Sequence, residues 1–236
     1  MLILALGAGL LGTLVGGYYA PQLIRYPAVA RLRRELARTR SVALTYDDGP
    51  GAELTPRLLD LLDSENAKAT FFTLGFRAGA HPQIVDRIVR DGHELGCHGN
   101  KHPHGWKAPP WRLVADINDG YRVLSTWVPA NAPYRPPYGK LSLPLWLSVC
   151  RRGSPLGWWT ADSRDTGATL SDPQEVAERL VGRDGAVVLM HDWWTDPRHM
   201  DYVLRLTELV IHLAQRRGLT VRRLCDIEAA KRLSDA

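Results

Sequence analysis

Two adjacent carboxylates stand at the end of an apolar run near the start of the chain. Asp47 and Asp48 lie in the stretch TYDDGP, residues 45–50. Like charges this close raise one another's pKa, and a metal ion bound by one carboxylate leaves the other free to act as a base. The pair therefore suggests half of an active site. A surface turn is the alternative, because Gly and Pro are common turn residues.

Two histidines, His98 and His102, follow about fifty residues later and are four residues apart. Together with Asp48 they would give one metal ion three ligands and leave a coordination position open, which is typical of catalytic metal sites. Solvated loop histidines are the alternative, because His93 and His104 lie in the same segment.

Polar residues also follow other strand-like apolar runs, and segments with helical periodicity lie between them. The runs cover residues 41–46, 93–97, 156–161 and 186–190, with a short one before Arg135. The helical segments cover residues 54–62, 82–90, 111–128, 143–151, 173–181 and 202–216. This alternation predicts an α/β barrel whose reactive groups gather at the carboxyl ends of its strands.

Five motifs in order resemble those of the polysaccharide deacetylases, the family with the NodB homology domain. They are TYDDGP at 45–50, HGNKH at 98–102, RPPYG at 135–139, DSRD at 162–165 and LMH at 189–191. The stretch ATFFTLG at 69–75 resembles the second strand of that family, and the resemblance covers about residues 41–225. It implies a distorted (β/α)7 barrel of the glycoside hydrolase and deacetylase type, and metal-dependent removal of an acetyl group from an N-acetylated sugar.

The resemblance assigns a role to each matching residue. Asp48, His98 and His102 match the metal ligands, usually for zinc, with cobalt, nickel or manganese as alternatives. Asp47 matches the general base, and Arg135 matches the arginine that orients it.

The resemblance also implies a general acid and a pocket for the substrate. His191 matches the residue that protonates the leaving amine, and Asp165 matches the acidic partner that keeps such a histidine charged. We expect the backbone N–H of Tyr138 to help hold the oxyanion and Leu189 to line the pocket for the acetyl methyl group. Pro137 and Trp159 complete the expected substrate-binding set.

Two positions depart from the family pattern. Gly99 stands where a Ser or Thr usually braces the loop that carries the second histidine, so we expect His102 to be held less firmly or by another group. Thr166 stands where a Trp usually forms one wall of the sugar groove. Four tryptophans near the strand ends can either stack on a sugar or pack within the fold: Trp158, Trp159, Trp193 and Trp194.

Length and composition fit one barrel with a short extra segment. The chain has 236 residues, of which 45% are hydrophobic. It contains neither a phosphate-binding Gly-rich loop nor a dinucleotide fingerprint, so we expect no nucleotide cofactor. Three irregularly spaced cysteines, Cys97, Cys150 and Cys225, argue against a disulfide framework, and Cys97 is interpreted as a buried apolar residue.

The net charge of +5 is concentrated in one segment. Residues 1–24 carry no charged side chain, and residues 25–40 contain six arginines and one glutamate. Acidic and basic side chains balance in the rest of the chain, so the basic net charge does not indicate nucleic acid, and we expect no nucleic-acid partner. An apolar segment followed by arginines is typical of a membrane anchor next to anionic headgroups. We therefore expect a single-pass anchor over 1–24, a basic juxtamembrane linker over 25–40 and a catalytic domain over 41–236, with a cleaved signal peptide as the alternative.

The orientation of such an anchor affects the expected substrate. Arginines on its carboxyl side favour a cytoplasmic barrel and a lipid-linked sugar, whereas a barrel outside the cell favours a wall polymer. We expect a deacetylase acting on an acetylated amino sugar of either kind. The alternatives are a catalytically degenerate carbohydrate-binding barrel and an amidohydrolase of another small amide, such as a formamide or a cyclic imide.

Overall fold

The structure, a computed structural model, describes residues 16–227 and alternates strands with helices along most of that length. The strands are β1 (Ser41–Asp47), β2 (Thr70–Thr73), β3 (Glu94–Cys97), β4 (Ala161–Asp162), β5 (Ala186–His191) and β6 (Thr220–Arg222). The helices are α1 (Arg25–Thr39), α2 (Leu54–Ser64), α3 (Gly75–Ala80), α4 (Pro82–Arg90), α5 (Pro110–Leu124), α6 (Leu143–Arg152), α7 (Pro173–Val181) and α8 (Pro197–Arg216). Single 3-10 turns span Ala20–Ile24 and Pro137–Gly139.

All strand pairs in this part of the chain are parallel. The sheet runs in the order β3-β2-β1-β5-β4, and β6 pairs with the first residues of β1. Isolated bridges continue the sheet from Cys97 to Tyr134 and from Tyr134 to Leu156. Because residues 156–162 bridge Tyr134 at one end and pair with β5 at the other, the strands form a ring. The predicted α/β architecture with a parallel sheet is confirmed.

The two faces of β1 pack against different layers. Its residues alternate in direction, so Val42 and Leu44 join the main core beneath the outer helices, whereas Ala43 belongs to a second cluster. That second cluster lies on the inner face of the ring and includes Phe72 and Val187 from the neighbouring strands. The inner face is therefore apolar around Ala43 and carries polar residues nearer the carboxyl ends of the strands.

Helix α1 covers the apolar part of this inner face. Its Leu32 and Leu36, one helical turn apart, are buried in the cluster that contains Ala43, Phe72 and Val187. The helix ends at Arg40, whose left-handed backbone turns the chain directly into β1. Residues 25–40 are thus a packed helix, where we expected a linker.

The expected anchor over residues 1–24 is only partly within the described range. Residues 1–15 lie outside it, and Ala20–Ile24 form a turn in which Pro21 is buried. Among residues 16–227, no helix is both long and apolar enough to cross a bilayer.

Several element boundaries differ from the predicted ones by a few residues. The run expected over 156–161 forms a strand only at Ala161–Asp162, because its first residues bridge Tyr134 instead of β5. Helix α8 begins at Pro197, five residues before the expected start, where Asp196 caps it by accepting a hydrogen bond from the backbone N–H of Arg198. Helix α3 and strand β6 were not predicted.

Candidate active site

The candidate catalytic residues lie at the carboxyl ends of adjacent strands. Asp47 is the last residue of β1 and is the Cα partner of His191, the last residue of β5. His98 follows β3, which is joined to β1 through β2. Parallel pairing thus brings together residues that are up to 144 positions apart in the chain.

Three side chains form a cluster suited to a divalent metal ion. The Oδ1 atom of Asp48 lies 3.4 Å from Nε2 of His98 and 3.3 Å from Nε2 of His102. One ligand atom from each residue lies within 4.8 Å of the others. Oδ1 of Asp48 is buried and has no hydrogen-bond partner among residues 16–227. A buried carboxylate oxygen that faces two imidazole nitrogens fits a bound cation, and this donor set suits zinc.

His98 is fixed in the orientation that a ligand requires. Its Nδ1 lies 2.7 Å from the carbonyl oxygen of Arg135 and donates to it, which leaves Nε2 directed at Asp48. Burial lowers the pKa of His98 to about 3, so its imidazole is neutral at physiological pH. A histidine that binds a metal ion must be neutral in this way.

The loop that carries His102 is braced by Asp116 of α5, a residue that the sequence analysis did not identify. Its two carboxylate oxygens accept hydrogen bonds from the backbone N–H groups of Asn100 (2.9 Å) and Lys101 (2.7 Å). Gly99 has a φ of +84°, and a Cβ there would lie 2.4 Å from Asp116 Oδ2. The position therefore requires glycine, and Asp116 is the other group that holds this loop.

The candidate base, Asp47, is buried against Arg135. Its Oδ1 accepts a hydrogen bond of 2.7 Å from Nη1 of Arg135, while its Oδ2 lies 3.8 Å from Nε2 of His98, beyond hydrogen-bonding distance. Burial raises the pKa of Asp47, and the adjacent guanidinium opposes that rise.

Arg135 is fully buried and held by further bonds. Its Nη1 also donates to Oγ1 of Thr45 (2.8 Å), its Nε donates to the carbonyl of Gly157 (2.8 Å), and its guanidinium lies 4.0 Å from the centre of the Phe72 ring. Its position fixes one oxygen of Asp47.

The candidate acid, His191, is paired with Asp165. The carboxylate of Asp165 accepts from Nδ1 of His191 at 2.8 Å and from the backbone N–H of His191 at 2.9 Å. Burial alone would lower the pKa of His191, but the charge and hydrogen bond of Asp165 outweigh it and raise that pKa to about 9. His191 is therefore protonated at neutral pH, as a proton donor to an amine must be.

A cleft of about 640 Å³ connects the base, the acid and the metal cluster. Of the expected substrate-binding residues, Tyr138, Leu189 and Trp159 line it, whereas Pro137 is buried and does not. Tyr138 has a left-handed backbone, with a φ of +57°, and its ring packs 4.4 Å from that of His102. Thr166 also lines the cleft.

The four tryptophans near the strand ends divide into two groups. Trp159 and Trp193 line the cleft, so they supply aromatic walls that the Thr166 position lacks. Trp158 is buried in the core, and Trp194 is stacked between Trp193 and His199.

Asp192 supports the loop after β1 and was not among the candidate residues predicted from the sequence. Its Oδ2 accepts a hydrogen bond of 2.7 Å from Oγ1 of Thr55, and its carbonyl accepts one of 3.0 Å from the backbone N–H of Gly51. A Cβ on Gly49 would lie 2.1 Å from Asp192 Oδ1. Only glycine fits at position 49 beside this carboxyl. The sequence signal that could have revealed Asp192 is its position directly after His191.

Comparison with known proteins identifies similar sequences and folds. A family model described as polysaccharide deacetylase matches residues 34–151. The chain is 30% identical over 204 residues to a chitooligosaccharide deacetylase of Bradyrhizobium sp., covering 82% of this chain and 93% of that protein. It is 33% identical over 161 residues to a peptidoglycan-N-acetylglucosamine deacetylase of Bacillus cereus, covering 66% of this chain and 74% of the relative.

A solved structure has the same fold. The crystal structure of a peptidoglycan N-acetylglucosamine deacetylase in complex with an N-hydroxybenzamide compound superposes with a TM-score of 0.72 at 28% identity. The match covers 80% of this chain and 88% of the solved one.

Proposed function

Because this chain belongs to the polysaccharide deacetylase family, we propose that it removes acetyl groups from N-acetylated amino sugars at the cleft that Asp47, Asp48 and His191 line. The chain is a hydrolase of carbon–nitrogen bonds and depends on a metal ion, as its family does. Asp48, His98 and His102 would hold that ion. A divalent ion such as zinc supplies Lewis-acid chemistry when bound.

Each remaining catalytic task has a residue in the cleft. Asp47 accepts the proton of the attacking water, since Arg135 fixes one of its carboxylate oxygens and the other has no hydrogen bond among residues 16–227. His191 donates a proton to the leaving amine and is kept charged by Asp165. Leu189 offers an apolar surface for the acetyl methyl group.

The observation that carries this proposal is the pairing of a base and an acid across β1 and β5. Asp47 and His191 are Cα partners, yet each is held by a different buried residue of opposite charge. A carbohydrate-binding barrel without activity needs neither the arginine behind the base nor the carboxylate behind the acid. The arrangement therefore favours the enzyme over a degenerate barrel.

The substrate that we propose is a glycan containing N-acetylglucosamine. The relatives named for chitooligosaccharide and peptidoglycan deacetylation support this class, and Trp159 and Trp193 line the cleft with aromatic side chains that a sugar can contact. A lipid-linked amino sugar is the second proposed substrate. The uncharged residues 1–24 and the arginines that follow support a membrane location, which sedimentation with membranes that resists high salt would test.

The test is acetate release by the purified full chain from chitooligosaccharides and peptidoglycan, together with elemental analysis. We expect His102→Ala to lose most of its metal and its activity, because it removes one of three ligands. Asp47→Asn should keep the metal and lose about 10² to 10⁴ in turnover, the usual contribution of a general base. His212→Ala, which removes a histidine paired with Glu65 outside the cleft, is the matched control. Full activity of Asp47→Asn on a verified substrate would overturn the assignment.

A further inference from the structure

A second cavity, of about 480 Å³, opens beside the catalytic cleft and is called the side groove here. The side groove is lined chiefly by Arg25, Arg33, Trp106, Lys140, Trp159 and Asp162. Lys140, Trp159 and Asp162 also line the catalytic cleft, so the two spaces adjoin at these three side chains. A group attached to a sugar in the cleft would therefore lie close to the groove.

The side groove is positively charged. Three cations, Arg25, Arg33 and Lys140, face one carboxylate, Asp162. Oδ1 of that carboxylate already accepts a hydrogen bond of 2.9 Å from the backbone N–H of Arg164. The resulting excess of positive charge favours an anionic ligand.

Two of these cations are held by aromatic rings and not by acids. The guanidinium of Arg25 lies 4.5 Å from the centre of a Trp159 ring, and Nζ of Lys140 lies 4.3 Å from that of Trp106. Neither cation forms an ion pair with any residue between 16 and 227. Contact with an aromatic face orients a cation without neutralising it, so both charges stay available to a ligand.

The outer wall of the side groove is fixed to the barrel. The side chain of Gln22 donates to the carbonyl of Gly139 (3.0 Å) and accepts from the backbone N–H of Leu141 (2.7 Å). The ring of Tyr19 meets that of Trp106 edge-on at 5.5 Å. Together with the buried leucines of α1, these contacts hold the groove in shape before a ligand arrives, which reduces the entropy lost on binding.

We propose that the side groove binds an anionic group, a phosphate or a carboxylate, that is covalently attached to the acetylated amino sugar. The inference rests on the proposed function, because it places the anion on the substrate of the same cleft. A neutral chitooligosaccharide would leave the cations of the groove without a partner. A sugar phosphate or an acidic sugar would meet Arg25 and Lys140 directly.

Three disaccharides distinguish the sources of such a group: neutral di-N-acetylchitobiose, its 1-phosphate, and N-acetylglucosaminyl-N-acetylmuramic acid, which carries a carboxylate. We expect Arg25→Gln and Lys140→Gln each to lower the ratio of kcat/KM for a charged over the neutral disaccharide about 10-fold, chiefly through KM. Arg25→Lys should retain most of the ratio, and Arg151→Gln, an exposed charge on α6 outside the groove, should leave it unchanged.

If this ratio falls only for the 1-phosphate, the groove is a phosphate site. If it falls only for the muramic disaccharide, the groove is a carboxylate site. A fall for both charged disaccharides supports a general anion site. An unchanged ratio in the double variant Arg25→Gln/Lys140→Gln overturns the proposal, as does an equal fall for all three ligands. Calorimetric binding to full-length Asp47→Asn gives the same comparison without turnover. The groove is therefore tested even if no disaccharide releases acetate, an outcome that would count against the proposed function alone.

Discussion

The pairing of His191 with Asp165 predicts a pH-dependent contribution to stability that Asp165→Asn should remove. The pKa of His191 is about 9 in the folded protein, against an ordinary value of 6.5. The interval between these values corresponds to about 3 kcal/mol. Because the pKa is raised on folding, this stabilisation is fully present below pH 6.5 and is lost as the pH rises through 9.

In Asp165→Asn the imidazolium loses its anionic partner, while burial still disfavours its charge. We expect its pKa to fall to the ordinary value or lower. Stability should then depend less on pH between 6.5 and 9 than in the unchanged protein. The basic limb of the pH profile of kcat/KM should also move to lower pH, since the protonated acid is lost earlier.

The measurement is urea unfolding at pH 6, 7, 8 and 9, combined with NMR titration of the histidine rings. Asp196→Asn is the matched control, because Asp196 pairs with His199 three residues away but its carboxylate is half exposed, so the pair should contribute little. If Asp165→Asn showed the same dependence of unfolding free energy on pH as the unchanged protein, Asp165 would not be what holds the proton on His191.

Three further substitutions test how the site is supported. Asp116→Ala removes both acceptors for the loop of His102 and should weaken metal affinity about 10- to 100-fold, measured by competition with a chelator while the far-ultraviolet spectrum stays unchanged. Gly49→Ala should cost about 1–3 kcal/mol in urea unfolding, because its Cβ would overlap Asp192; an unchanged midpoint would contradict the close approach. Gln22→Ala should cost about 1–2 kcal/mol by the same assay, and stability equal to that of the unchanged protein would mean that its two hydrogen bonds do not hold the turn.

Local pattern was enough to predict several elements, and the family resemblance indicated the candidate site residues. The expected strand over residues 186–190 is observed as Ala186–His191, and the expected helices over 82–90 and 173–181 have those bounds. Asp48, His98 and His102 meet because each follows the end of a strand or lies in the loop after one. The carboxyl ends of parallel strands lie on the same side of the sheet, so the strand order brings these residues together.

Features that depend on distant packing were not predictable from the sequence. Helix α1 contains five arginines, a composition that suggests a solvated segment, and only the spacing of Leu32 and Leu36 indicates a buried face. Asp116 lies on a helix beyond the loop that it braces, so nothing local links it to Asn100. β4 has two residues and β6 has three, too few for any alternation to be recognised.

The position of α1 limits how this protein can be shortened. The family match begins at residue 34, inside this helix, and the first catalytic strand begins at Ser41. A fragment cut at either point would lose Leu32, and one starting at Ser41 would uncover Ala43 and its apolar neighbours. Such a fragment would expose an apolar surface and would be prone to aggregate. The smallest piece suited to expression therefore starts before the turn at Ala20–Ile24, although sequence similarity alone would place its beginning well inside the folded unit.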